Sequence, residues 1–396
     1  MSGTPLLLAL DQGTSSSRAM VFTPNGELVA SAQEEFPQSY PHEGWVEQDP
    51  NDIWASILSV AKKAIAKAEA DGDKIVSIGI TNQRETTILW DRKTGVPVYP
   101  AIVWQDRRTA DECARLKADG AEVPLRRRTG LLLDPYFSAT KVAWILDNVE
   151  GARTAAEAGK LAFGTVDSWL VWKLTGGHVH ATDATNASRT NLLNLTTGEW
   201  DDEMLSLFRV PRALLPEVKD SAADFGNTDP NLFGRPIPIG GIAGDQQAAA
   251  IGQGCFDVGS AKSTYGTGCF LLVQAGNVPP TSDNALLSTV SYQLEGKRAY
   301  CLEGSIFIAG SGVKWLRDSL GLIQSADETE ALAKSIPHTG GVYVVPAFTG
   351  LGAPHWAPEA RGLIAGLTPG RGTAENVQGT QENGAEKTND IIRGNS

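Results

Sequence analysis

The sequence predicts an α/β protein of two domains. Apolar strand-like runs alternate with helical patterns along the chain, the pattern of strands layered with helices. Its 396 residues suffice for two domains of ordinary size. A strand–turn–strand unit tipped by a Gly-Thr pair occurs once in each half, at Gly13-Thr14 and Gly266-Thr267, which suggests two related domains facing one cleft.

The elements follow in order. Leu6–Asp11 is a continuous apolar run ending in an acid and reads as a buried strand. Gln12–Ser17 is a turn of small polar residues and Arg18–Phe22 a second strand, so the two form a hairpin. Residues 49–71 predict an amphipathic helix on Ile53, Ile57, Val60 and Ile65, capped by Asn51 or Asp52. Lys74–Gly79 is a strand leading into Thr81-Asn-Gln-Arg-Glu-Thr86, and Leu89–Asp91 a strand with a turn at Gly95. Lys141–Asn148 is helical. The Gly/Pro-rich run 234–241 marks the domain boundary, giving a first domain of 1–240 and a second from 241. Ser260–Tyr265 and Cys269–Val273 form the second hairpin, and Gly304–Gly310 followed by Ser311–Leu316 reads as strand, glycine turn and helix.

Composition narrows the function. Hydrophobic residues make up 41% and charged residues 20%, ordinary for a globular chain. The net charge of −12 argues against a nucleic-acid partner, because neutralising phosphates takes clustered Lys and Arg. Arg126–Arg128, the one dense basic run, reads as a solvated helix end. An acidic chain can still hold a nucleotide through a local metal and backbone N–H groups. No stretch reaches the ~18 apolar residues of a membrane helix, and no signal-like segment opens the chain. Cys113, Cys255, Cys269 and Cys301 lack CxxC spacing. A cytoplasmic protein with reduced thiols is the expectation. His178 and His180 read as exposed strand histidines rather than metal ligands.

Four stretches carry chemistry. Asp11–Arg18 supplies Gly13 for close backbone approach to a phosphate, the hydroxyls of Thr14, Ser15 and Ser16, the charge of Arg18, and Asp11 as a Mg²⁺ ligand, direct or through water; an ordinary Gly/Ser hairpin would look the same. Gly304–Gly310 before a helix offers an anion site or a plain strand-to-helix turn. Asp245, between glycines and an alanine run, is either a helix N-cap or a base that accepts a hydroxyl proton. Arg84-Glu85 can donate to and accept from neighbouring hydroxyls of a polyol, or form a surface ion pair.

Together, DQGTSSSR (11–18), TNQRETTILW (81–90), VWQDRRT (103–109), GIAGDQQAA (241–249), STYGTGCF (263–270) and GSIFIAG (304–310) resemble the glycerol-kinase branch of the FGGY carbohydrate kinases. YFSATKVAW (136–144) resembles that family's first signature, and the similarity runs from about residue 6 to about residue 374. The resemblance implies a ribonuclease-H-like, actin-type ATPase fold of two domains around a central cleft. It implies phosphorylation of glycerol by ATP with Mg²⁺, giving sn-glycerol 3-phosphate and ADP. By motif, Arg84, Glu85, Tyr136, Asp245 and Gln246 would bind glycerol, with Asp245 as the base. Trp104 and Phe270 would pack on its carbon skeleton. Thr14, Ser15, Ser16, Arg18, Thr267 and Gly310 would contact the nucleotide phosphates. Lys314 stands near the nucleotide where many relatives carry Gln. The resemblance leaves room for a homo-oligomer, dimer or tetramer. Two alternatives stay open: another FGGY sugar or polyol kinase, and an inactive polyol-binding remnant.

The likeness fades after residue 374. The second domain is then expected over 241–374 and incomplete, with the adenine-binding segment and final helices outside this chain. Residues 375–396 are polar with few apolar positions, the composition of a disordered tail. The loop Asn227–Phe233 has no histidine, so the phosphohistidine control of some relatives is not expected.

Overall fold

The computed structural model describes residues 5–69 and 74–393, with side chains described up to residue 388. The chain forms two compact units. The first comprises residues up to Ile251 with Gly276–Pro279 and Thr289–Tyr300; the second comprises Gly252–Ala275, Pro280–Ser288 and the residues from Cys301. The division therefore falls beyond helix residues Asp245 and Gln246 rather than at 240/241, and both stand in the first unit.

The first unit is organised by a mixed five-stranded sheet. Its strands are β1 (Pro5–Gln12), β2 (Ser16–Phe22), β3 (Leu28–Glu35), β4 (Lys74–Asn82) and β5 (Ile239–Gly244), in the order β5-β4-β1-β2-β3. β1, β4 and β5 run parallel; β2 and β3 continue antiparallel. β1 is not buried throughout: Leu6, Leu8, Leu10 and Gln12 point inward, while Leu7 is 41% exposed. Strand geometry sends alternate side chains to opposite faces whatever the apolar content of the run.

Helix α1 (Pro50–Ala68) buries Ile53, Ile57, Val60, Ala61 and Ala64 in the core that holds Leu8, Leu10, Val21, Ile78 and Ile80. Its cap is neither Asn51 nor Asp52 but Asp49, whose Oδ1 accepts the Asn51 N–H at 2.8 Å, with Pro50 at the first helical position. Proline there gives up an amide that would lack a helical partner anyway. Helices α2 (Ser138–Asn148) and α3 (Val166–Leu174) complete the parts of this unit that position the site. Arg126–Arg128 do lie in a helix's last turn, and Arg128 pairs with Asp201 at 3.0 Å. His180 is not an exposed strand residue: its Nε2 lies 2.8 Å from the Phe163 carbonyl oxygen and its ring meets Trp90 edge-on at 5.4 Å. Burial pushes its pKa down to about 4, so it is neutral near pH 7.

The second unit is built on β6 (Ala261–Tyr265), β7 (Cys269–Gly276), β8 (Leu287–Leu294) and β9 (Lys297–Ile306), in the order β6-β7-β9-β8, parts of β8 and β9 being counted with the first unit. Helix α4 (Gly310–Asp318) follows β9. The run expected as a disordered tail is instead helix α5 (Thr373–Arg393). Val377 of α5 is fully buried in a cluster with Leu316 and Ile323, Thr380 and Thr388 hydroxyls bond the carbonyls four residues back, and the Gly372 amide donates to Glu375 at 2.9 Å. Packing of one face, rather than overall hydrophobicity, decides such a helix. The four cysteines are buried and form no disulfide. Among the described residues no helix is long and apolar enough to cross a membrane.

Candidate active site

The three parallel strands of the first unit end level with one another: Gln12 pairs with Asn82, and Asn82 with Gly244. In α/β sheets ligands bind beyond such carboxyl ends. Each strand here hands over to one of the singled-out motifs: β1 to Gly13–Ser16, β4 to Gln83–Glu85, β5 to Asp245–Gln247.

Arg84 is the hub. Its side chain is 1% exposed; Nε lies 3.3 Å from Asp245 Oδ1 and 4.0 Å from Glu85 Oε1. Nη1 donates to Gln247 Oε1 at 3.2 Å and Nη2 to the Tyr136 hydroxyl at 3.4 Å. Arg84 and Glu85 are thus a buried constellation and not a surface pair. The two carboxylates beside Arg84 differ: Glu85 is 2% exposed and Asp245 34%. Asp245 opens the helix Asp245–Gly252, and its Oδ1 accepts the Gln246 N–H at 2.7 Å. It lies at the helix start and keeps a reachable face. Glu85 has φ of +60°, a left-handed conformation costly for a residue with a Cβ. It is held by a tight turn, Thr86 N–H to Arg84 carbonyl at 2.7 Å, and by the hydroxyls of Ser138 and Thr87 donating to its own carbonyl at 3.0 and 3.1 Å.

Tyr136 meets Trp104 edge-on, ring centres 5.8 Å apart, and the Trp104 indole N–H donates to Thr14 Oγ1 at 2.9 Å. Arg84, Glu85, Tyr136, Asp245, Gln246, Trp104 and Thr14 therefore form one connected set. In the same hairpin Ser15 is exposed, Ser16 accepts from Gln33 at 3.2 Å, and Arg18 donates to Gln33 at 3.0 and 3.2 Å, lying along the sheet surface. Asp11 sits half-buried opposite Arg18 in the ladder; burial raises its pKa and Arg18 opposes the rise. No cluster of three or more His, Cys, Asp or Glu suited to a metal occurs among the described residues. Mg²⁺ that arrives with phosphates needs only one or two carboxylates and keeps several waters, and Asp11 fits that role.

In the second unit, the Thr267 carbonyl accepts from the Ala309 amide at 2.9 Å and the Ser311 hydroxyl at 2.8 Å, while the Gly310 amide donates to the Gly266 carbonyl at 2.8 Å. Thr267 and Gly310 are thereby brought together at the start of α4. Lys314 lies exposed one turn along α4, and Phe270 is buried in β7, 8% exposed, its ring beside Gly268.

Several residues of this site escape a linear reading. Gln83 Nε2 donates to Gln12 Oε1 at 3.0 Å and to Gln48 Oε1 at 2.9 Å, and Gln48 Nε2 to the Thr14 carbonyl at 2.7 Å. Gln247 and Arg189 touch Arg84 and Glu85 directly. Arg189 stands in the polar run Thr182–Thr190, which the fold buries throughout. Fully buried Lys141 donates to the Tyr136 carbonyl at 2.7 Å; burial lowers its pKa to about 7, against the opposing charges of Asp106 and Glu85.

Comparison with known proteins decides the family. Residues 6–252 match the N-terminal domain of the FGGY family of carbohydrate kinases, and residues 261–393 its C-terminal domain. This chain belongs to the FGGY family of carbohydrate kinases. The family match continues through the helix to residue 393, so the likeness does not stop at 374. This FGGY kinase is 61% identical over 392 residues to a glycerol kinase of Rhodospirillum centenum, covering 99% of this chain and 79% of the relative. It is 60% identical over 385 residues to a glycerol kinase of Bradyrhizobium, covering 97% and 77%. Among solved structures it resembles Plasmodium falciparum glycerol kinase with ADP, with a TM-score of 0.87 and 36% identity over 100% of this chain and 79% of the other. The two-domain, mixed α/β architecture of the FGGY kinases is thus the fold of this chain.

Proposed function

We propose that this FGGY kinase transfers the γ-phosphoryl group of ATP to a terminal hydroxyl of glycerol, giving sn-glycerol 3-phosphate and ADP. The observation that carries the assignment of roles is the contrast between the two carboxylates beside Arg84: Asp245 is 34% exposed and Glu85 2%. Asp245 accepts the proton of the attacking hydroxyl as its oxygen bonds to the γ-phosphorus and the bond to the bridging oxygen of ADP breaks. Phosphoryl transfer asks the protein mainly for positioning, charge stabilisation and such a base. Arg84 donates to and Glu85 accepts from the remaining hydroxyls, with the Tyr136 hydroxyl and Gln246 beside them. A site built to pair every hydroxyl rejects analogues that lack one, because buried polar groups are left unmatched.

Trp104, and Phe270 from the second unit, are assigned to the carbon skeleton. Thr14, Ser15, Ser16, Arg18, Thr267, Gly310 and Lys314 are assigned to the nucleotide. Asp11 would hold Mg²⁺, which when bound neutralises phosphate charge. The glycerol kinases to which this chain is similar and the ADP-bound glycerol kinase structure support the reading.

The test is glycerol-dependent ADP formation by the purified chain, with Asp245→Asn beside it. The expected result is turnover that falls roughly 10²–10⁴-fold in the variant. Phosphorylation of a pentulose in preference to glycerol, or equal turnover by the variant, would sink the assignment.

A further inference from the structure

The segment Asp183–Arg189 grips all three carriers of the polyol-binding groups, though none of its residues is assigned to a ligand. Asp183 Oδ1 accepts from the Asn186 amide at 3.0 Å and the Thr185 hydroxyl at 2.8 Å, closing a short turn. From that turn Thr185 Oγ1 accepts the Gly244 N–H at 2.9 Å, one residue before Asp245. Asn186 and Asn82 exchange reciprocal amide hydrogen bonds at 3.0 and 3.1 Å, at the end of β4. Arg189 reaches furthest: its Nε donates to Glu85 Oε1 at 2.6 Å, and its guanidinium carbon lies 5.5 Å from the ring centres of both Tyr136 and Phe137. Arg189 is completely buried.

We propose that Arg189 is a positioning residue for substrate: it sets the Glu85 carboxylate and the Tyr136 ring in the geometry that recognises a polyol hydroxyl, without touching the polyol itself. The inference rests on the reading that Glu85 binds glycerol. The physical case has two parts. First, Glu85 sits in a left-handed backbone conformation, so its side chain leaves the chain in a direction that only neighbouring contacts maintain. Second, the charged contact at 2.6 Å is shorter than the 4.0 Å approach of Arg84 Nε to the same oxygen. Arg189 therefore fixes the Glu85 carboxylate, while its guanidinium lies against the Tyr136 ring. A lysine would supply charge but neither the planar fork of donors nor the same reach.

The experiment measures glycerol binding by calorimetry, and KM for glycerol and for ATP, on the full 396-residue chain. The variants are Arg189→Met, Arg189→Lys, Glu85→Gln and the pair Arg189→Met with Glu85→Gln. The expected result for Arg189→Met is glycerol binding weakened roughly 10–100-fold, the worth of a charged hydrogen bond, with KM for ATP unchanged and cooperative melting retained. Arg189→Lys recovers part of the loss. In the Glu85→Gln background the Met substitution adds less than about threefold, because coupled residues are not additive. Equal factors in both backgrounds would show that Arg189 does not act through Glu85, and equal rises in both KM values would mark a merely structural role; either overturns the inference. Should Arg189→Met not fold, Arg189→Lys decides: wild-type glycerol affinity and KM in that variant overturn the proposal, and a selective loss for glycerol supports it. If the unsubstituted chain itself fails to bind glycerol, the glycerol reading falls and this inference with it.

Discussion

The two Gly-Thr hairpins share a local pattern but are held in place by different means. At the first tip, side chains reinforce the turn's own Gly13-to-Ser16 backbone bond: Gln48 and Trp104 donate to the carbonyl and hydroxyl of Thr14, and Gln83 bonds Gln12. At the second tip, backbone bonds dominate, with Thr267 and Gly266 carbonyls accepting from the Ala309 and Gly310 amides and the Ser311 hydroxyl adding one side-chain bond to Thr267. The space around the glycines reflects this. A Cβ at Gly310 would lie 2.6 Å from the Gly266 carbonyl oxygen, and one at Gly268 2.5 Å from that of Ile306. A Cβ at Gly13 would meet the Ser16 carbonyl oxygen at a looser 3.2 Å. A turn fastened by side chains tolerates small adjustments, whereas one fastened by close backbone approach admits only glycine.

That contrast can be tested by substitution. The largest effect is expected from Gly310→Ala, which must push the hairpin tip from the start of α4. Overpacking of this kind costs about 1–3 kcal/mol, and KM for ATP should rise with the fall in melting temperature. Gly13→Ala is the matched control. Its stability should change by less than about 1 kcal/mol, the low end for overpacking, and an equal loss at both glycines would erase the distinction between the tips.

Trp104→Phe comes next. It keeps the ring against Tyr136 but removes the N–H to Thr14, worth about 0.5–1.5 kcal/mol, and steady-state kinetics should show a modest rise in KM for both substrates. Asp11→Asn should have the smallest effect on stability, and in the opposite direction. Burial raises the Asp11 pKa above its ordinary value of 3.8, so the ionised form is penalised in the folded chain. That penalty is absent below 3.8, where folded and unfolded states are both protonated; it grows up to the raised value and is complete above it. The variant should melt slightly higher at pH 7 and alongside the wild type at acid pH. A gain at acid pH would contradict the origin given for the shift.

Much of this was legible in one dimension. The runs Leu6–Asp11 and Lys74–Gly79 announced strands, the spacing of Ile53, Ile57 and Val60 announced α1, and the string from Asn82 to Glu85 named two residues that the fold makes central. Other features were not legible. Nothing local distinguishes Arg84-Glu85 as a buried constellation from a surface ion pair, because the difference lies in Asp245, Gln247 and Arg189, which are more than 100 residues away along the chain. The helix over 373–393 was hidden because its stability comes from Val377 meeting Leu316 and Ile323, and composition is silent on that contact. Leu7 shows the reverse error: an apolar residue in an apolar run that the pleat turns outward.

The sequence alone determined the alternation of strands and helices, the two glycine-tipped hairpins and the identity of the polar groups that follow each strand, since these depend on neighbours a few residues apart. The tertiary structure decided which of those groups meet. Parallel pairing of β1, β4 and β5 brings three strand ends level, and only then does Arg84 gain Asp245 at 3.3 Å. The difference between the two carboxylates has the same origin. Both are ordinary acids in the sequence, and burial, a property of the folded surface, leaves Asp245 34% exposed and Glu85 2%.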